Sequence, residues 1–162
     1  MDDVTVTTEI AAPAEAIYDL VADMPRMGEW SPECERVEWT GGATAAAVGV
    51  GFRGHNRIGW RRWSTHGTVT VADRGRAFTF EVRSLLNLPV SAWSYRFEDG
   101  HGTCRVTEST EDRRGLLIKT AGLLATGVAD RGARNRETMT RTLERLRAAA
   151  EAGSRSEAAA VT

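Results

Sequence analysis

The chain has 162 residues, a formal net charge of −1, and no long apolar run. That length suits one domain, expected over residues 1–150, which buries roughly 70% of its unfolded surface. The near-neutral charge argues against a nucleic-acid partner or an electrostatic hold on an anionic membrane. No stretch reaches the roughly 20 apolar residues of an integral membrane segment.

Cys34 and Cys104 are the only cysteines. Two do not make a disulfide framework, and a reducing compartment is expected. The acidic opening Met1-Asp2-Asp3 differs from the basic start of a secretory leader. Together these features predict a cytoplasmic protein.

Val4 to Ile10 alternates and is rich in β-branched residues, the pattern of a strand. Pro13 then suits the first turn of a helix carrying Ala16, Ile17, Leu20 and Val21 as its apolar stripe. Pro25 ends that helix, and Met24 to Trp30 predicts a second short one stopped before Pro32. Strands are expected at Glu35 to Trp39, Phe52 to Trp60, Arg62 to Ala72, Ala77 to Arg83, Ala92 to Glu98 and Thr103 to Glu111. Gly41-Gly42, Gly59, Asp73-Arg74-Gly75 and Asp99-Gly100-His101-Gly102 supply the turns between them.

The period then changes. Leu117, Ala121, Leu124, Val128, Gly132, Asn135, Met139, Leu143, Leu146 and Ala150 recur in steps of three and four. This predicts one long helix from Leu116 to Ala150. Glu151 to Thr162 lacks that period and predicts a frayed, disordered tail. Seven strands of one antiparallel sheet need an apolar face covered, and the long helix supplies the cover.

This order, with Pro13-Ala14-Glu15-Ala16-Ile17-Tyr18-Asp19-Leu20-Val21, Met27, Trp30-Ser31-Pro32-Glu33, Gly51-Phe52-Arg53-Gly54, Trp93-Ser94-Tyr95-Arg96-Phe97 and Val106-Thr107-Glu108-Ser109, resembles the START/birch-pollen-allergen (SRPBCC, Bet v 1-like) superfamily. Within it, the chain is similar to bacterial polyketide cyclase/dehydrase-like proteins, which include coenzyme-Q-binding members. The resemblance implies an α+β helix-grip fold. In that fold a seven-stranded curved sheet wraps around a long C-terminal helix, with two short helices after strand 1. It also implies a small hydrophobic ligand such as a lipid, quinone or polyketide.

Strand parity sorts the candidate site residues. If Val69, Phe80 and Phe97 face inward, then Phe52, Asn56, Trp63, Trp93 and Tyr95 do too. Such a set makes either a filled aromatic core or the apolar wall of a pocket, and Gly54 and Gly67 among the aromatics favour a pocket. Trp30 joins the expected ligand-binding set, as do Leu117 and Leu124 of the helical stripe.

Glu108 shares inward parity with Cys104 and Val106. A carboxyl there is a structural ion pair, an anchor for a ligand hydroxyl, or a general base with Tyr95 as the second proton-handling group. His55 and His66 fall on the outer parity. No histidines or cysteines show metal-ligand spacing, and no cofactor is predicted. Gly49-Val50-Gly51-Phe52-Arg53-Gly54 has the spacing of a dinucleotide loop but is followed by a strand, where that loop requires a helix.

Leu85 to Val90 reads as a lip at a cavity mouth or as simple packing. The arginines between Arg131 and Arg147 read as the solvated helix face. Three functions remain open: a carrier of a small hydrophobic molecule, a polyketide cyclase/aromatase-like enzyme, and a protein-interaction module.

Overall fold

A computed structural model describes residues 3–115, 119–120 and 126–160. The elements run β1 (Val4–Ile10), α1 (Ala14–Ala22), a 3-10 turn (Met24–Arg26), α2 (Met27–Trp30), β2 (Cys34–Trp39), β3 (Gly51–Ile58), β4 (Arg61–Asp73), β5 (Ala77–Arg83), β6 (Pro89–Asp99), β7 (Cys104–Asp112) and α3 (Arg131–Ala160). The strands form one seven-stranded sheet in the order β1-β7-β6-β5-β4-β3-β2. Every neighbouring pair is antiparallel. β2 to β7 form a meander, and β1 closes its far side against β7. This is the helix-grip architecture.

Three register shifts bend the sheet, between Cys34 and Arg36, Val69 and Val71, and Val82 and Arg83. The second reverses strand parity within β4, where simple alternation would put Val71 on the same face as Val69. Val69 pairs with Phe80 and is buried, yet Val71 pairs with Thr79 and is exposed, while Ala72 takes the inward position opposite Phe78. The extra residue, Thr70, flips everything after it, as a bulge must.

The core lies under α1, α2 and the middle of α3. Ile10, Ile17, Met24, Phe78, Val106, Leu143 and Leu146 are essentially sealed from solvent. Tyr18 meets Phe78 and Phe97 edge-on, with ring centroids 5.9 and 5.8 Å apart. Gly67 permits a close approach: a Cβ there would sit 2.0 Å from Cζ of Phe52, whose ring occupies that space. The room expected at Gly67 is thus filled by Phe52, whereas Gly54 lines open space.

The single helix predicted from Leu116 is interrupted. Residues 127–130 are not helical, and Gly127 has φ +71°, a left-handed conformation suited to glycine. Its missing side chain also admits Arg61, since a Cβ would fall 1.5 Å from Nη1 of that residue. α3 restarts with Asp130 as its cap: Oδ1 accepts the Ala133 N–H at 2.9 Å.

At its other end, α3 runs on to Ala160 through the segment read as a tail. Ala, Glu and Arg are strong helix formers, and an apolar stripe is not needed to continue a helix already begun. Glu151 also ties this end down by accepting the Ala11 N–H at 3.1 Å.

Candidate functional site

A cavity of about 150 Å³ lies between the concave face of the sheet and the first half of α3. Alternate residues of four strands wall it: Phe52, Gly54 and Asn56 from β3, Trp63 and Thr65 from β4, Phe80 and Val82 from β5, and Ser91, Trp93 and Tyr95 from β6. β7 adds Glu108. Met24 and Met27 cover one side, and Arg131, Asn135, Thr138, Met139 and Thr142 of α3 form the roof.

The structure therefore brings together seven of the expected residues: Phe52, Asn56, Trp63, Phe80, Trp93, Tyr95 and Glu108. Trp30 is not among the lining residues. Its ring is buried, its indole N–H donates to the Leu20 carbonyl at 3.3 Å, and Arg26 stacks over it at 5.1 Å. Trp30 anchors α2, and its neighbour Met27 faces the cavity. Leu117 and Leu124 lie outside the described residues.

The most unusual group is Glu108. It lies directly opposite Tyr95 in the β6–β7 register and is 2% exposed. The Tyr95 hydroxyl donates to Oε1 at 2.8 Å, while Oε2 is buried with no partner among the described residues. Burial pushes the Glu108 carboxyl up to about 8, only partly offset by that hydrogen bond, and among the described residues no cation acts to restore the charge. Burial and the adjoining carboxyl also push the Tyr95 phenol well above its ordinary value of 10. At neutral pH Glu108 is mostly the neutral acid. With Oε1 already accepting from Tyr95, its proton belongs on Oε2, the oxygen without a partner among the described residues.

A second polar group sits in the roof. The Glu33 carboxylate receives Nη2 of Arg131 at 2.7 Å and Nε of Arg134 at 2.9 Å. Arg131 keeps a buried Nη1 with no partner among the described residues. These two arginines are thus not on the solvated helix face where the sequence reading put them. They were missed because their partner, Glu33, lies 98 and 101 residues away in the chain.

The remaining lining groups are quieter. Thr138 and Thr142 donate their hydroxyls back to helix carbonyls, at 3.0 and 2.9 Å. The Trp93 indole donates to Ser91 Oγ at 2.9 Å. Cys34 lines the cavity, but burial pushes its thiol up to about 11, so it carries little thiolate for nucleophilic attack.

His55 lies on the outer face, bonded to Ser64 Oγ at 3.0 Å. The glycine-rich stretch at Gly49 leads into β3 and presents no helix N-terminus for a pyrophosphate. Beside the cavity, Val90 and Ser91 line it, while Leu85, Leu86 and Leu88 of the same link are exposed. No helix among the described residues is long and apolar enough to cross a membrane.

A curved sheet gripping a helix over a mostly apolar cavity with a few convergent polar groups has the general character of a ligand site. Residues 1–151 match the family described as polyketide cyclase / dehydrase and lipid transport, and the chain belongs to that family.

Among solved structures, the polyketide-cyclase-like protein Cgl2372 of Corynebacterium glutamicum is 27% identical with TM-score 0.60, over 90% of this chain and 89% of that one. StfQ, a di-domain ARO/CYC from the steffimycin biosynthetic pathway, is 16% identical with TM-score 0.64, over 94% of this chain and 46% of its own. The major latex-like protein 151 of Panax ginseng is 13% identical with TM-score 0.67, over 91% and 96%. The last two share the fold alone. No curated protein matches by sequence.

Proposed function

We propose that this protein binds a small, mainly apolar molecule of the lipid, quinone or polyketide type in the cavity between sheet and α3. One observation carries the reading: alternate side chains of four adjacent strands present Phe52, Trp63, Phe80, Trp93 and Tyr95 to a single unfilled space. Affinity comes from covering apolar surface, at roughly 25 cal/mol per Å². A cavity of about 150 Å³ suits one compact ring system or the end of a longer chain. Family membership supports the same class of ligand.

The test is mass spectrometry of an organic extract of freshly purified protein, against an unrelated protein prepared alongside. A specific co-purifying molecule, lost when Trp63→Ala is extracted, supports the reading. If neither co-purification nor titration with apolar ring compounds detects a ligand, the reading fails.

The Glu108–Tyr95 pair supports a second reading as a cyclase/aromatase-like enzyme. An acid held near 8 can give up and retake a proton at neutral pH, and the aromatic walls would fold a flexible chain into a reactive shape. The two readings part at Glu108→Gln. An enzyme loses turnover while keeping its ligand; a carrier loses nothing but the pH response of binding.

A further inference from the structure

Among the described residues, two donors in the cavity walls have no acceptor, and they come from different elements. Oε2 of Glu108 projects from β7 and is the protonated oxygen of a neutral acid; Nη1 of Arg131 projects from the first turn of α3. Both atoms are buried and both residues line the same cavity. Leaving such groups unpaired is costly, most of all for a charged guanidinium. The roof also has surplus positive charge. Arg131 and Arg134 share the Glu33 carboxylate, and the second carboxylate, Glu137, is itself divided between Arg134 at 3.1 Å and Arg141 at 2.8 Å, so three guanidiniums meet two carboxylates and Arg131 is only partly neutralised.

We infer that the cavity selects a compact organic acid, with its carboxylate on Arg131 Nη1 and a carbonyl-type acceptor on Glu108 Oε2, its ring lying against Trp63, Phe80 and Trp93. The inference rests on the reading of the cavity as a ligand container, and it narrows the ligand from apolar to amphiphilic and anionic. Tyr95 serves as a positioning residue. By occupying Oε1, it fixes the acid proton on Oε2, where a ligand acceptor meets it.

A plain hydrophobic container and an acid-selective one make opposite forecasts. Burying a carboxylate costs more than burying its methyl ester, so a container without a waiting cation prefers the ester. The probes are 4-acetylbenzoate and the longer 6-acetyl-2-naphthoate, their methyl esters, 4-isopropylbenzoate as the carbonyl-free isostere, and naphthalene, titrated calorimetrically into the intact protein at neutral pH.

At least one keto acid is expected to bind about tenfold or more tighter than its ester, the scale of one charge-assisted hydrogen bond. Arg131→Met is expected to erase that preference, with a cooperative urea transition as the check that the variant is folded. 4-Isopropylbenzoate is expected to bind more weakly than 4-acetylbenzoate in the wild type and equally in Glu108→Leu. Esters that bind as tightly as the acids overturn the inference but leave the container reading standing. Binding of naphthalene with no acid bound does the same. Failure of every probe, naphthalene included, overturns both.

Discussion

From Leu143 to Ala150, α3 buries Leu143, Leu146 and Ala150 against the core, whereas from Arg131 to Thr142 it presents Arg131, Asn135, Thr138, Met139 and Thr142 to the cavity. Both halves keep the helical period and sit over the same sheet. The difference is in what fills each inward position: apolar groups alone in the second stretch, polar groups at every position but Met139 in the first. A closed core needs side chains that reach the sheet and leave nothing to hydrate. A binding site needs the opposite, walls that stop short and polar groups that wait for a partner. Helix α3 thus performs both tasks by changing the residue type along one stripe.

The largest expected effect concerns the cavity side and its pH response. Glu108 holds its proton up to about 8 when folded, against an ordinary value of 4.5. The folded chain therefore binds one more proton than the unfolded chain between those values. Stability is full below about 4.5, falls as pH rises through the window, and levels off above about 8, with a total loss on the order of 5 kcal/mol. Glu108→Gln has no carboxyl to ionise and removes this slope. Urea denaturation at pH 5 and pH 9 checks it: relative to wild type, the variant gains stability at the higher pH. Equal differences at both values would show that Glu108 is not held neutral.

On the core side, Leu143→Ala is expected to cost about 3 kcal/mol at every pH, since it opens a void where α3 seals against the sheet. Thr138→Val, facing the cavity, replaces a hydroxyl satisfied within its own helix by a methyl of similar size. It is expected to cost less than about 1 kcal/mol. Chemical denaturation of the two variants measures the contrast directly. If Thr138→Val is as damaging as Leu143→Ala, the first half of α3 is core and not roof.

How much of this was legible in the chain depends on how local the signal is. Alternation placed Phe52, Asn56, Trp63, Trp93, Tyr95 and Glu108 on one face, because parity along an unbroken strand is a local property. The bulge at Thr70 was not visible, since nothing at that position distinguishes an extra residue from a paired one. The break at Gly127 was hidden inside a stripe that stays periodic across it, from Leu124 through Val128 to Gly132. The Glu33–Arg131 pair is a tertiary event: each member reads as a surface charge until the fold closes. Trp30 shows the converse, a large aromatic beside the cavity whose indole is committed to the Leu20 carbonyl.

The smallest effect is expected where the sheet turns outward. Arg74 spans Glu15 and Asp19 of α1, at 3.0 and 2.6 Å, with better geometry than many ion pairs. All three side chains are more than half exposed, so water already solvates each charge, and ordering three flexible groups offsets most of the attraction. Arg74→Ala should leave the denaturation midpoint unchanged at moderate salt, with any small loss vanishing as salt is raised. Glu33→Gln is the sharper partner experiment. Its carboxylate is 10% exposed, and its loss leaves two arginine heads facing each other beside the cavity. That variant should be destabilised far more than Arg74→Ala and should bind the anionic probes more tightly, because Arg131 is then without its counter-charge. Equal destabilisation of the two variants would mean that the roof pair is as solvated as the surface one, and that Arg131 has no unmet charge to offer a ligand.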